Sequence, residues 1–204
     1  MYKSGEFVSR YVRTEDGERV PDKQIQPNAV ELTLDKVYRL DGYCVLKDDE
    51  YSKANRTELE LIEGKEYMDN SSITLGPQPA LVDVHDSNIN LNSEENSEHT
   101  IEVENPHYVL HKGGFVITFN EKLKVPEDFV GFTYPRSRVI RNSNHLFSAL
   151  WDTGYEGKGE GGFHTNCMTI LEKDMRIAQF MLSRCESYGQ YDGTHQGEFE
   201  SGTE

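Results

Sequence analysis

The sequence lacks long apolar runs and has little cysteine. No stretch reaches the roughly 18 or more apolar residues that a membrane span needs, and residues 1–17, MYKSGEFVSRYVRTEDG, lack the apolar core of a secretory signal. The three cysteines, Cys44, Cys167 and Cys185, are scattered, without the short paired spacings of zinc sites or disulfide frameworks. We therefore predict a soluble, cytoplasmic protein with free thiols and no membrane partner.

Basic residues are also scarce. The chain has 36 acidic and 21 basic side chains, which gives a formal net charge of −15 at pH 7. Because most of such a surface repels phosphates, the composition excludes a general nucleic-acid-binding protein. If the ligand carries phosphates, the basic residues must be concentrated in one place.

Long helical patterns and repeats are absent, and strand-like segments predominate. At 204 residues the chain is expected to form a single domain. Residues 29–35 alternate, with Val30, Leu32 and Leu34 on one side. Further β-branched and aromatic runs occupy residues 115–119, 129–134 and 177–182. We predict a mainly β fold, a distorted β-barrel or jelly-roll with one or two short helices.

Two segments differ from this pattern. Residues from about 47 to 100 are polar and acidic, apart from an apolar stretch at 80–84, and we interpret them as an insertion within a domain spanning 1–186. Residues 187–204 are rich in glycine, glutamine, tyrosine and acidic groups. Because they have too little apolar area to order themselves, we predict a flexible tail that a ligand or neighbouring subunit orders.

Arginines are concentrated just after Pro135, where a strand is expected to end and a short helix to begin. The first helical turn would present backbone N–H groups, the Ser137 hydroxyl and the Arg136 guanidinium together, which suits a phosphate. Arg138 and Arg141 would add to the same positive field. The alternative is a surface helix with solvated arginines, and in so acidic a chain both interpretations remain open.

A glycine-rich segment follows at residues 150–162, with five glycines. Asp152 is the best candidate for a carboxylate that acts on water, since a carboxylate beside a sugar can orient or deprotonate an attacking water. Tyr155 offers a flat face for a deoxyribose. The alternative is a glycine-rich hairpin in which Asp152 is an ordinary turn residue.

Taken in order, these segments resemble the superfamily of trimeric dUTP diphosphatases and dCTP deaminases, most closely its archaeal-type dUTP diphosphatases. The matching segments are residues 26–34, 135–137, 152–157, 174–179 and 188–197. The resemblance implies the β-clip fold of that superfamily and a homotrimer with active sites between subunits. It also implies dUTP as substrate and Mg²⁺ as cofactor.

The resemblance assigns a role to each matching residue. It implies that Asp152 positions the hydrolytic water, that Tyr155 stacks under the sugar, and that the strand around Ala149 recognises uracil through its backbone. It places Glu31, where the family usually has Asp, near the metal and triphosphate, with a contact to the metal through water. The other nucleotide-binding residues that it implies are Arg136, Ser137, Arg138, Arg141, Gln179, Tyr191 and Gln196.

One position separates the two activities of the superfamily. The deaminases carry a Glu ten residues after the Asp, and counting from Asp152 reaches Gly162, which cannot transfer a proton. We therefore predict hydrolysis of dUTP to dUMP and diphosphate by attack of water on the α-phosphorus. The alternative is a dCTP deaminase, or a bifunctional enzyme, in which a bulge brings Glu160 into place.

Two non-catalytic alternatives remain. The chain departs from the family pattern at Glu31, at Arg138 in place of a second Ser, and at Asp174 in place of Gly, and such departures would permit a nucleotide-dependent binding protein without turnover. The retained Asp152 opposes that interpretation. A plain β-sandwich interaction module would require five ordered motif matches to be accidental.

Overall fold

The computed structural model describes residues 1–46, 51–52, 54–63, 66–68 and 101–197. Most of the predicted insertion, including the apolar stretch at 80–84, and tail residues 198–204 therefore lie outside the described residues. The chain forms two compact units, one of Met1–Ile62 with His107–Glu204 and one of Glu63–Pro106. Within the described ranges, no helix has the length and apolar character to cross a membrane.

The described elements are mostly strands. The two α-helices are short, α1 (Gly5–Val8) and α2 (Ser137–Arg141), with 3₁₀ turns at Ser9–Tyr11 and Asp22–Gln24. In chain order the strands are β1 (Val12–Arg13), β2 (Val30–Asp41), β3 (Val45–Leu46), β4 (Tyr51–Ser52), β5 (Asn55–Glu58), β6 (Glu66–Met68), β7 (Ile101–Val103), β8 (His107–Leu110), β9 (Gly113–Lys124), β10 (Phe129–Pro135), β11 (Asn144–Phe147), β12 (Glu156–Thr165), β13 (Thr169–Glu172) and β14 (Arg176–Arg184). In the smaller unit, β6 pairs with β7.

Eight strands of the larger unit form one sheet in the order β10-β14-β2-β9-β12-β11, with β1 added on β9 and β5 on β2. The two ends of this sheet approach each other, since Gly131 of β10 and Trp151 after β11 exchange backbone hydrogen bonds of 2.9 and 3.1 Å. The predicted mainly β, barrel-like fold with two short helices is confirmed. β5 lies inside the region expected to be an insertion, yet it belongs to the main sheet.

The predicted strand segments all lie in strands of the main sheet. Val30, Leu32 and Leu34 of β2 are fully buried, as their alternation predicts. Glu31, on the opposite side of the same strand, is also buried and only 2% exposed. Simple alternation fails at Glu31 because β2 lies in the middle of the sheet and two arginines shield its carboxylate.

The sheet opens next to the glycine-rich segment. β11 pairs with β12 only from Asn144 opposite Thr165 to Phe147 opposite Gly162. Beyond that point the chain leaves β12 and reaches β10 at Trp151. A Cβ added at Gly159 would lie 2.3 Å from the Trp151 ring, so the glycine lets the indole pack onto β12. The result is a gap between residues 148–150 and β12.

Candidate active site

This gap forms a pocket of about 430 Å³, named here the Asp152 pocket. It combines the turn after β11 with the first half of β12 and two residues of the C-terminal tail. Its lining residues are Val116, Phe147, Ser148, Ala149, Leu150, Trp151, Asp152, Tyr155, Lys158, Glu160, Gly161, Gly162, Tyr191 and His195.

Asp152 is held at the mouth of this pocket by anchored neighbours. Trp151 donates its indole N–H to the Thr133 hydroxyl at 2.8 Å, and Thr153 donates its hydroxyl to the Phe129 carbonyl at 2.6 Å. Asp152 itself is exposed, and within the described part of the chain its carboxylate accepts no hydrogen bond and forms no ion pair. Its oxygens are therefore available to a sugar hydroxyl and a water.

Tyr155 is more enclosed than an open stacking platform. The side chain is 6% exposed, and its hydroxyl donates to the Lys158 carbonyl at 2.8 Å. Its ring centroid lies 5.1 Å from that of Trp151 and 5.8 Å from that of Tyr191. The three rings form an aromatic wall of the pocket.

The chain at Ser148, Ala149 and Leu150 belongs to no strand. Among the described residues, the backbone N–H groups of these three residues donate no hydrogen bond, because the pairing with β12 has ended. Ala149 and Leu150 are exposed, while the side chain of Ser148 turns back to the Ala149 carbonyl at 2.8 Å. The backbone N–H groups of this segment are therefore free to recognise a planar ligand edge, whereas the Ala149 carbonyl already accepts one hydrogen bond.

The tail packs on its own chain beside Asp152, as far as it is described. The backbone N–H of Tyr191 donates to the Thr153 carbonyl at 2.7 Å. The Gln196 amide donates to the Gly154 carbonyl at 3.0 Å and accepts from the Glu156 N–H at 3.3 Å. These intrachain hydrogen bonds hold Tyr191 and Gln196 over the turn that carries Asp152, and the ordering of the tail by a ligand or neighbouring subunit stays a prediction.

The arginines line a second pocket, also of about 430 Å³, named here the arginine pocket. Arg136 and Arg138 come from the start of α2, and Arg176 comes from β14. The lining residues besides these arginines are Thr14, Glu15, Pro21, Lys23, Gln24, Thr33, Asn120, Glu121, Glu172, Asp174 and Met175. No residue lines both this pocket and the Asp152 pocket.

Glu31 joins two of these arginines from beneath. One carboxylate oxygen lies 2.6 Å from Arg136 Nε and the other 2.7 Å from Arg176 Nη1. Arg136 also donates to the Arg176 carbonyl at 3.2 Å. Burial lowers the pKa of Arg136 below its usual value, and the charge of Glu31 opposes that effect. One carboxylate thus fixes the positions of two guanidiniums at a pocket that four cations and four carboxylates line.

Gly162 and Glu160 differ in what they offer the Asp152 pocket. Gly162 pairs with Phe147 and Val116 and carries no side chain. Glu160 follows an irregularity in the pairing of β12 with β9 and lines the pocket. Its two carboxylate oxygens accept from Arg56 of β5 at 2.6 and 2.9 Å. The carboxylate is therefore already bound in a two-bond ion pair.

The structure brings some predicted site residues together and leaves others apart. Asp152, Ala149, Tyr155 and Tyr191 share one pocket, whereas Arg136 and Arg138 line the other. The remaining predicted residues line neither pocket; they are Glu31, Ser137, Arg141, Gln179 and Gln196. Ser137 and Arg141 are exposed on α2, and Gln179 lies on β14 between Tyr134 and Glu31.

Sequence reasoning missed three charged or titratable residues at the Asp152 pocket. Lys158 and His195 line it, and Arg56 contacts it through Glu160. Lys158 lies in the glycine-rich segment of residues 150–162 and His195 lies in the matched segment of residues 188–197, so closer reading of those segments would have named them. Arg56 had no local signal, because only the long-range pairing of β5 with β2 brings it to the site.

A model of the dCTP deaminase-like family matches residues 73–185. A probable deoxyuridine 5'-triphosphate nucleotidohydrolase of Halobacterium salinarum is 32% identical over 198 residues, which cover 97% of this chain and 95% of that protein. A deoxyuridine 5'-triphosphate nucleotidohydrolase of Methanocaldococcus jannaschii is 35% identical over 92 residues, or 45% of this chain and 59% of that protein.

Among solved structures, a 2'-deoxycytidine 5'-triphosphate deaminase from Agrobacterium tumefaciens aligns with a TM-score of 0.50 and 15% sequence identity. The alignment covers 89% of this chain and 47% of that chain. At this identity the likeness concerns the fold alone, and it agrees with the barrel-like sheet described above.

Proposed function

The chain belongs to the dCTP deaminase-like family, and we propose that it hydrolyses dUTP to dUMP and diphosphate. The observation that carries this proposal is the exposed Asp152 carboxylate at the mouth of a pocket with free backbone groups. A water-activating group is thus combined with a wall that can recognise a base. Gly162 supports hydrolysis over deamination, because it cannot move a proton.

We propose that residues 148–150 recognise uracil. A backbone carbonyl and a backbone N–H match the N3–H donor and the O4 acceptor of uracil. Cytosine presents the opposite pattern at these two atoms, and an unmatched polar pair in a pocket is costly. Trp151, Tyr155 and Tyr191 would exclude water from the sugar and base.

Asp152 then acts on the attacking water. It accepts a proton from the water while the water oxygen bonds to the α-phosphorus, and the bond from that phosphorus to the α,β-bridging oxygen breaks. Diphosphate leaves with the bonding electron pair, and dUMP keeps the new oxygen. Most of the rate enhancement would come from positioning and charge neutralisation.

Arg136, Arg138 and Arg176 would neutralise the phosphates. The Asp152 pocket contains one permanent cation, the buried Lys158, whereas three guanidiniums line the separate arginine pocket. We therefore propose a homotrimer in which the arginine pocket of one copy faces the Asp152 pocket of the next. The fixed geometry of Arg136 and Arg176 suits bidentate contacts to phosphate oxygens.

The described residues do not fit a resident Mg²⁺. In these parts of the chain, no three His, Cys, Asp or Glu side chains gather into a metal-holding group. Glu31, the implied metal ligand, has both oxygens bound by guanidiniums. We therefore propose that Mg²⁺ enters as the counter-ion of the substrate triphosphate, which is how proteins commonly receive it.

Product analysis tests this function. The purified protein is incubated with Mg²⁺ and either dUTP or dCTP, and the products are separated by chromatography that resolves dUMP, dUTP and dCMP. We expect dUMP from dUTP and no deaminated product from dCTP. dUTP or dUMP formed from dCTP would instead support deamination by Glu160, which lines the pocket. Binding of dUTP without any product would move the protein to the non-catalytic class.

A further inference from the structure

We infer that Arg56 is a positioning residue that, by binding Glu160, sets the preference of the Asp152 pocket for uracil over cytosine. This inference rests on the proposed function and extends it to a residue outside the matched family segment of 73–185. Arg56 lies on β5, which joins the main sheet by pairing with β2.

The geometry of the pair is specific. Arg56 Nη1 lies 2.6 Å from one Glu160 oxygen and Nη2 lies 2.9 Å from the other, so both ends of the carboxylate are held. The side chains of Arg56 and Glu160 are 24% and 30% exposed, so the pair is partly withdrawn from water. Two-bond guanidinium pairs of this kind fix the orientation of a carboxylate as well as compensating its charge.

Glu160 lies where a base would be recognised. It lines the pocket beside Gly161 and Gly162, which face the segment of residues 147–150 across the gap. Neither glycine presents a side chain, so Glu160 and Lys158 are the ionisable groups that β12 contributes to the pocket, and Lys158 already pairs with Glu15 and Asp35. The state of Glu160 therefore decides the polarity of the wall opposite the free backbone groups.

An uncompensated carboxylate on this wall would select the wrong base. A carboxylate only accepts hydrogen bonds, so it attracts the 4-amino donor of cytosine and repels the O4 acceptor of uracil. The Arg56 guanidinium binds both oxygens and cancels the charge, which removes this attraction. Arg56 thus removes the preference of this wall for cytosine, so that the backbone groups of residues 148–150 select the base.

The test compares binding of α,β-imido-dUTP and α,β-imido-dCTP by titration calorimetry, together with kcat/KM for dUTP and dCTP. In Arg56→Met we expect the ratio of dUTP to dCTP affinity to fall by about tenfold or more, through tighter dCTP-analogue binding and weaker dUTP-analogue binding. In the double variant Arg56→Met, Glu160→Gln the exposed charge is gone, so the ratio should return to within about threefold of the unsubstituted protein.

Two comparisons make the result decisive. Arg39→Gln removes an exposed arginine of β2 that does not line the pocket and pairs with Asp41 at 3.0 Å. This variant should leave the ratio of dUTP to dCTP affinity unchanged. Arg56→Lys keeps the charge but loses the two-bond geometry, so it should shift the ratio less than Arg56→Met; it also serves if Arg56→Met does not fold. An unchanged ratio in the Arg56 variants, or an equal fall with and without Glu160, would overturn the inference.

The readouts separate this inference from the proposed function. If the unsubstituted protein fails to turn over dUTP, the hydrolase proposal fails, while the binding ratios of the imido analogues still decide the role of Arg56. If it hydrolyses dUTP and Arg56→Met leaves both ratios unchanged, the inference about Arg56 fails alone.

Discussion

At the scale of single residues, Glu31 is a carboxylate buried in the main sheet, only 2% exposed. A buried carboxylate normally costs free energy, and here two arginines and a strand interior surround it. The residue therefore connects two segments that the sequence showed only as separate motifs, the start of α2 and the start of β14. Its carboxylate holds the guanidiniums of Arg136 and Arg176 next to each other.

Glu31→Gln should destabilise the protein by about 2 kcal/mol in urea unfolding, because it leaves the partly buried guanidiniums of Arg136 and Arg176 without their shared counter-charge. KM for dUTP should rise, since Arg136 and Arg176 lose their fixed spacing. Glu156→Gln is a matched control, because its 2.6 Å pair with Lys124 is about half exposed on both sides and should contribute less than about 1 kcal/mol. Equal losses of unfolding free energy in the two variants would contradict the expectation that the ion pairs of Glu31 stabilise the protein more than an exposed pair does.

Tyr108 provides a pH-dependent prediction. Burial raises its pKa to about 12, while its hydroxyl donates to the Asp35 carbonyl at 3.0 Å. The unfolded state ionises near the ordinary tyrosine pKa of about 10. Between these two values only the unfolded state loses the proton, so the free energy of unfolding should fall as pH rises through this window.

Urea unfolding at pH values from about 9 to 11 measures this fall. Tyr108→Phe should flatten the dependence, and Tyr43→Phe, at an exposed tyrosine, should leave it in place. The same slope in Tyr108→Phe and the unsubstituted protein would show that Tyr108 does not carry the effect.

At the scale of elements, the tail is the segment whose placement most directly affects the site. Gln196 makes two hydrogen bonds to the turn of residues 154–156, and Tyr191 packs against Tyr155. These contacts lie within one chain and place the tail beside the turn that carries Asp152.

Gln196→Ala should raise KM for dUTP by up to about thirtyfold, because its two hydrogen bonds to the turn contribute about 1 kcal/mol each to tail attachment. Gln190→Ala is the control, since that side chain donates to Glu127 at 3.1 Å and not to the turn. Steady-state kinetics of both variants measure the effect, and an equal rise in KM would argue against a specific role for Gln196.

Elements were predictable from the sequence where local pattern determines them. The alternation of residues 29–35, the apolar runs and the strand-to-helix transition at Pro135 all correspond to observed elements. The pairing of β5 with β2 and the irregularity between Lys158 and Glu160 were not predictable, because both depend on contacts between distant strands. For the same reason the sequence indicated Asp152 and Tyr155 but gave no sign of Arg56.

At the scale of the whole molecule, each of the two pockets of one chain supplies a different part of the proposed site. The Asp152 carboxylate lies in one pocket and the arginines proposed to bind phosphate lie in the other, with no shared lining residue. An assembly in which neighbouring copies combine the two pockets would therefore complete a site that each chain supplies in halves.

Mixing two inactive variants tests this division. Asp152→Asn and Arg136→Met should each be inactive alone, and unfolding and refolding them together should restore up to about a quarter of the activity, because some sites then combine two intact halves. Size-exclusion chromatography with light scattering should give a trimer. If the mixed trimers recover no activity, one chain supplies both halves of its own site. Lys158 of the Asp152 pocket and Glu15 of the arginine pocket, 2.9 Å apart, would then connect the two pockets within that chain.

A paired measurement on Asp152→Asn shows whether Asp152 performs chemistry at a uracil nucleotide pocket. Single-turnover hydrolysis of dUTP should fall by about a thousandfold or more, because the amide cannot accept the proton of water. The Kd for α,β-imido-dUTP should change by less than about tenfold, since an amide still contacts the sugar hydroxyl. Undiminished turnover in this variant would contradict the proposed action of Asp152 on the attacking water.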